Sequence, residues 1–313
     1  MKKSLKILLF ILLGIGVLVT AFVIYVSTAR MPVYEVDFPE LVVESTPERL
    51  AEGEKLVAVL CVQCHASTDG KLGGGYMSDS DEFGKVYAAN ITRHPRLGIT
   101  DYTDGELAYL LRSGIRRDGQ YVPPWMPKFP LLSDEDLFSV IAFLKSDHPM
   151  VEPSNLEQPE STPSFFAKFL LRIAFRPLPY PTEAVVAPPV SDKTAYGRYL
   201  AVGKYDCFSC HSASFAKEDP MQPENSKGYF GGGNVLYDKQ MNKVLSANLT
   251  MDEETGLGKW SEAEFIMALR FGRKPDGTTV QPPMVPAPRI TDEEASAIWA
   301  YLQTIPEIKN QVK

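Results

Sequence analysis

The chain has 313 residues but only four cysteines and four histidines, and outside its extreme N-terminus no cluster of Lys and Arg. The missing basic cluster excludes nucleic acid as a partner, because phosphates need such charge for neutralisation. The formal net charge of −7 points the same way. No run alternates apolar and polar residues convincingly enough for a strand, so the expected fold class is all-α. There is no G-x-x-x-x-G-K-[ST] phosphate loop, no G-x-S-x-G nucleophile elbow and no H-E-x-x-H zinc motif. With 44% apolar and 23% charged residues, the composition is neither fibrous nor disordered. At about 100–200 residues per domain, the length allows about two.

What is present begins at the N-terminus. Lys2, Lys3 and Lys6 precede an uncharged run from Ile7 to Val26, 20 residues long. About 20 apolar residues cross a hydrocarbon core of about 30 Å, whereas the apolar core of a cleaved signal is about 7–15. Residues 1–30 therefore read as a transmembrane anchor in preference to a cleaved signal, for which Ser27-Thr28-Ala29 is only a loose cleavage site. The lysines stay in the cytoplasm by the positive-inside rule, and the rest of the chain is exported.

All four cysteines fall in one motif, used twice: Cys61-Val62-Gln63-Cys64-His65 and Cys207-Phe208-Ser209-Cys210-His211. C-x-x-C-H reads as covalent attachment of c-type haem. Thiols three residues apart lie on one side of a helical turn and reach the two vinyl groups of one haem, and the following His points at the iron. A zinc ribbon needs two pairs about 15–20 residues apart, but here 142 residues separate Cys64 from Cys207. Zinc held by distant pairs, or two local disulfides, leaves both histidines unexplained. The reading is two covalently bound haem c groups on Cys61, Cys64, His65 and on Cys207, Cys210, His211.

The motifs mark an internal duplication. They stand 146 residues apart, and beyond them a constant offset of 158 aligns the halves. Gly73-Gly74-Gly75 matches Gly231-Gly232-Gly233, and Ala89-Asn90-Ile91-Thr92 matches Ala247-Asn248-Leu249-Thr250. Arg112 and Gly114 match Arg270 and Gly272. About 12 extra residues lie between His211 and Gly231. Helix punctuation repeats as well: Thr46-Pro47 opens a helix leading into Cys61, and Thr103-x-x-Glu106 and Ser261-x-x-Glu264 are capping boxes. Ser133 and Thr291 open closing helices with apolar faces Leu137, Val140, Ile141, Leu144 and Ala295, Ile298, Trp299, Leu302. Each half is expected to be a small α-domain: residues 31–148 and 194–313, joined by a Pro-rich linker, 149–193, that contains a short amphipathic helix. That helix, Phe165 to Arg176, reads as packing between the domains in preference to lying on a membrane surface.

The sixth iron ligands are expected to be Met126 and Met284. They occupy equivalent repeat positions in Pro123-Pro124-Trp125-Met126-Pro127 and Pro282-Pro283-Met284-Val285-Pro286, where prolines stiffen the backbone around a weak ligand. His94 and His148 face Asp252 and Pro306 in the repeat, so neither is a ligand kept in both halves; they read as surface or loop residues. Asn90 and Asn248 read as turn residues or haem-edge contacts. Arg112 and Arg270 read as propionate partners or as part of a solvated helix face.

On these features the chain resembles the membrane-anchored dihaem class I cytochrome c proteins of bacteria. The carriers are the two C-x-x-C-H motifs, the A-N-[IL]-T segments, the Asp118-Gly119 and Asp276-Gly277 loops, and the Pro-flanked methionines. The resemblance covers roughly 46–147 and 194–305 and implies the cytochrome c fold, an electron-transfer role and, for methionine on ferric haem, a weak far-red absorption band. The chain is also similar to the haem-bearing subunits of membrane alcohol and gluconate dehydrogenases, which commonly carry three haem motifs where this chain has two. Two functions follow. One is an electron carrier at the outer face of the cytoplasmic membrane, passing electrons between a redox protein donor and acceptor, alone or within a dehydrogenase or oxidase complex. The other is a haem enzyme such as a dihaem peroxidase, which needs acid–base groups beside an open iron, and only His94 and His148 are spare for that.

Overall fold

The structure is a computed structural model that describes residues 2–238 and 240–312. Its first element is the apolar run, a single helix α1 (Lys2–Thr28) that is long and apolar enough to cross a membrane. Among its described residues only Val26 is buried.

Helix α2 (Pro47–Leu60) starts as its sequence dictates: the Thr46 hydroxyl accepts from the Arg49 amide at 3.3 Å and Pro47 takes the first turn. The chain breaks at Cys61 and resumes as α3 (Val62–His65). Three two-residue strands follow, β1 (Gly75–Tyr76), β2 (Gly84–Lys85) and β3 (Tyr87–Ala88), with β1 antiparallel to β3. Helix α4 (Asp104–Ser113) runs from a complete Thr103/Glu106 capping box to Gly114, which ends it at φ 82°. Helix α5 (Asp134–Leu144) buries the expected face, Leu137, Val140, Ile141 and Leu144.

The connector carries β4 (Thr162–Pro163), paired with β2, and α6 (Phe165–Ile173). Its first part does not stand apart: Leu72 donates to the Met150 carbonyl, Arg93 to that of Val151, and the Gln158 amide side chain to those of Gly73 and Gly74. Nor does α6 lie between the halves. It packs on the exit of α1 and on the turn 78–83, where Phe83 stacks on Phe166. Its polar side chains find open backbone carbonyls at the end of α1, a partner the sequence pattern did not reveal.

The second half repeats the plan with α7 (Lys193–Arg198), α8 (Cys207–His211), an antiparallel hairpin of β5 (Val235–Tyr237) and β6 (Lys243–Leu245), α9 (Glu262–Phe271) and α10 (Asp292–Leu302). The molecule is mostly helical, and the short hairpins are an addition to the all-α expectation. Helix α2 crosses α5, and α7 crosses α10, each at a glycine. A Cβ on Gly53 would stand 2.0 Å from the Ser139 carbonyl oxygen, and one on Gly197 1.8 Å from that of Ala297. Gly53 lies eight residues before Cys61, but Gly197 lies ten before Cys207. Tyr199–Lys204 absorbs the difference by winding as a π-helix.

One apolar cluster runs through both halves, from Leu56, Leu107 and Ile141 to Leu200, Ile298 and Leu302. A charged knot is buried across the junction. The Lys55 ammonium lies 2.7 Å from both Glu294 oxygens, and Lys204 lies 2.9 Å from Glu52 and 3.2 Å from Asp136. The Tyr205 hydroxyl donates to Glu294 at 2.9 Å, and Tyr199 donates to Asp136. Charges taken out of water in this way are tolerable only when each meets an opposite partner.

Candidate haem-binding sites

The first site is built on one helical turn. The amides of Cys64 and His65 donate to the Cys61 carbonyl at 3.2 and 2.9 Å, which puts both cysteines and the histidine around a common edge. His65 is 9% exposed, and its Nδ1 lies 2.8 Å from the Ala89 carbonyl. A carbonyl only accepts, so Nδ1 carries the hydrogen and Nε2 keeps its lone pair, the tautomer a metal requires. Burial holds the imidazole below its ordinary pKa, which also favours the neutral ligand form.

The second site repeats the histidine contact. His211 Nδ1 lies 2.9 Å from the Ala247 carbonyl, and burial again lowers its pKa. Behind each histidine runs a glycine of the triple run. Gly74 donates to the His65 carbonyl at 2.9 Å, and Gly232 to that of His211 at 2.7 Å. Both have positive φ, 78° and 68°, and a Cβ would fall 2.1 Å from the Ala88 oxygen or 2.5 Å from the Ala247 carbonyl carbon. Only glycine lets the chain pass so close to the carbonyls that hold the imidazoles. Those carbonyls are functional groups that side-chain reasoning missed; the repeated A-N-[IL]-T segment was their signal.

Asn90 and Asn248 form Asx turns. Their Oδ1 atoms accept from the Thr92 and Thr250 amides at 3.0 and 2.9 Å, and their Nδ2 atoms donate to the Ser154 and Ile308 carbonyls. They therefore tie each histidine-holding segment to the irregular segment that follows the closing helix.

Burial pushes the thiols of Cys61, Cys207 and Cys210 up to about 12, the opposite of a redox-active or catalytic thiolate. Among the described residues no three His, Cys, Asp or Glu side chains gather as a metal site, so the distant-pair zinc reading has no geometry behind it. Beside the second motif, Asp206 takes a left-handed φ of 52°, and Ser209 donates to Glu218 at 3.1 Å. Burial pushes both carboxyls up to about 8.

The methionines sit less alike than the histidines. Met126 is half-buried against the core that Cys61 and Cys207 also border. Met284 is 37% exposed. The first loop is closed by Lys128, a residue sequence reasoning passed over. Its ammonium donates to the Pro123 and Met126 carbonyls, each at 2.7 Å, and burial pushes it down to about 7. Arg112 and Arg270 are held by the protein's own groups and do not form a solvated helix face. Arg112, 1% exposed, donates to the Pro130 carbonyl at 3.0 Å and pairs with Asp134. Arg270 repeats this with the Pro288 carbonyl and Asp292. Each arginine pins the far end of a methionine loop to the start of the closing helix.

The two spare histidines are occupied. His94 is buried rather than on the surface; its Nδ1 accepts from the Arg96 and Leu97 amides, and Nε2 meets Asn155 at 3.2 Å. Asp252, its repeat partner, accepts from the Glu254 and Thr255 amides, so His and Asp perform one turn-capping task. His148 Nδ1 accepts from the Met150 amide, and Nε2 faces Glu54 at 3.8 Å.

Comparison with known proteins bears on the family of the chain. Residues 48–144 match the family described as cytochrome C oxidase, cbb3-type, subunit III. The cytochrome c subunit of a quinone alcohol dehydrogenase from Gluconacetobacter polyoxogenes is 29% identical over 79% of this chain and 54% of its own length. The gluconate 2-dehydrogenase cytochrome c subunit of Pantoea cypripedii is 27% identical over 78% and 56%. A diheme cytochrome c-type protein of Cereibacter sphaeroides is 26% identical over 87% and 90%. The chain thus spans about half the length of the dehydrogenase subunits it matches and most of the length of the diheme protein. It carries a cytochrome c family domain and is related along most of its length to c-type cytochromes.

Proposed function

We propose that this chain is a membrane-anchored dihaem c-type cytochrome, an electron carrier rather than an enzyme. Its two tandem cytochrome c units occupy 31–148 and 194–313, joined by 149–193. One haem c is attached through Cys61 and Cys64 with His65 on the iron, and a second through Cys207 and Cys210 with His211. Met126 and Met284 complete the two iron sites. Haem supplies a one-electron Fe(III)/Fe(II) couple, and the protein positions it and tunes its potential. The single pass α1 holds both units at the outer, periplasmic face of the cytoplasmic membrane. The dehydrogenase subunits among the relatives make a membrane dehydrogenase complex the favoured donor. The observation that carries the reading is the doubled imidazole arrangement, with Nδ1 committed to the Ala89 and Ala247 carbonyls and Nε2 left for iron.

A haem peroxidase is the weaker reading, because His94 and His148 are both committed to backbone amides. The test is pyridine haemochrome quantitation and oxidised and reduced spectra of the chain matured in a haem-c-competent host. Two haems per chain with a weak far-red ferric band are expected, and Met126→Leu and Met284→Leu should each remove about half of that band. A single haem, or a high-spin signal that reacts with peroxide, would overturn the proposal.

A further inference from the structure

We infer that α6 is seated in the outer leaflet of the membrane, beside the exit of α1, with its apolar face among lipid chains and its basic side chains among anionic headgroups. This rests on the anchor reading of α1 and adds to it a second, interfacial contact.

The depth of α6 follows from what it touches. Phe169 meets the ring of Phe22 edge-on at 6.0 Å. Phe22 lies four residues before Val26, the end of the uncharged run, so at about 1.5 Å per residue that contact is about 6 Å below the outer edge of the apolar span. Interfacial helices bury their apolar face about 5–10 Å deep. The basic side chains of α6 reach the other way. Lys168 donates to the Ser27 carbonyl at 3.2 Å and Arg172 to that of Ala29 at 2.6 Å, with Arg172 also over the Tyr25 ring. These contacts lie at the level where charged heads of long side chains leave the hydrocarbon.

The rest of α6 fits that position. Ala167 and Leu171 face the protein and are buried, whereas Phe165, Phe166 and Ile173 are 45%, 51% and 55% exposed. In water such a row of large apolar side chains has no compensation. Lys168, Arg172 and Arg176 are the only charges between Ser161 and Thr182. From Met31 onward the chain carries an acidic excess, 28 basic against 39 acidic residues, so this short basic stretch stands out as a match for anionic lipid. The seat is also tied to the first unit: Phe166 stacks on Phe83, which packs on Trp125, the neighbour of Met126.

The test uses full-length, haem-loaded protein in native membranes and in liposomes containing phosphatidylglycerol. A p-benzoylphenylalanine is placed singly at Phe10 in α1, at Phe166 or Ile173 in α6, and at Phe215, an exposed aromatic in the second half. Irradiation and mass spectrometry then read lipid adducts. Adducts at Phe10, Phe166 and Ile173, and none at Phe215, are expected. Adducts at Phe10 without any at Phe166 and Ile173 would overturn the seat of α6 while leaving the anchor intact. No adduct even at Phe10 would remove the anchor and the seat together. A protein cross-link in place of lipid at Phe166 and Ile173 in native membranes would assign this face to a partner subunit and overturn the lipid reading.

Discussion

In the first half the methionine loop closes on a lysine; in the second a proline, Pro286, occupies that repeat position. The Lys128 ammonium bridges two carbonyls of its loop, and Trp125 ties the loop sideways to Phe83. Around Met284 the equivalents are Pro286 and Pro283, and the methionine is more open to solvent. Arg112 is fully buried, whereas the Arg270 side chain is 20% exposed. The second half instead gains its extra residues, with Glu218 held by Ser209, next to its cysteine motif. What does not differ is the backbone framework: the histidine on its carbonyl, the glycine beneath it, the Asx turn and the glycine crossing of two helices. The residues that hold each imidazole are thus alike in the two halves, and those around each methionine are not. Exposure and nearby charge set a haem's potential, so the two sites are expected to differ in potential, the second being the more open.

The shared framework is tested hardest by Gly74→Ala and Gly232→Ala. Each puts a Cβ into a carbonyl at positive φ, and each is expected to cost about 3–5 kcal/mol in urea unfolding. Similar losses in the two halves sharpen the equivalence; a neutral result at either site breaks it. Next come the arginines. Arg112→Ala empties a fully buried site and is expected to cost about 3 kcal/mol, against about 1 kcal/mol for the more exposed Arg270→Ala. Equal costs would erase the asymmetry claimed for the two loops.

Lys128 makes the contrast depend on pH. Its folded pKa, about 7, lies below its unfolded value, so between about pH 7 and 10 the unfolded chain binds more protons and stability rises with pH. The urea midpoint should climb through that window, and Lys128→Met should flatten the climb. Pro286 gives the second loop no such dependence. The smallest effect belongs to His94→Asn, which keeps a turn-capping acceptor and should cost about 1 kcal/mol without altering the haem spectra. A spectral change there would return His94 to the ligand set.

Much of the fold was legible because its signals are local. Thr103, Ser261 and Thr291 cap helices where their spacing says they should, and Gly114 and Gly272 end them in the left-handed region. The faces of α5 and α10 follow a helical period, and both are buried. What stayed hidden is non-local or belongs to the backbone. The partners of Arg112 are a carbonyl 18 residues away and a carboxylate 22 residues away, which no pattern specifies. Strands of two or three residues are too short to show a period of two. The π-helical stretch hides in an offset of 146, because two inserted residues look like ordinary divergence until Gly53 and Gly197 are seen at equivalent crossings. The place of α6 depends on the carbonyls at the end of α1, 141 to 143 residues earlier.

The charged knot between the halves bears on timing. Lys55 and Lys204 are each clasped by carboxylates from the opposite side of a continuous apolar core, so the halves cannot rock apart without stranding buried charge. On the proposed function, two haems carried by such a body would keep one spacing. Electron tunnelling falls off exponentially with distance, so the hop between them would proceed at a single rate and wait for no hinge. Solvent viscosity should therefore slow the arrival and departure of redox partners and leave the internal hop untouched.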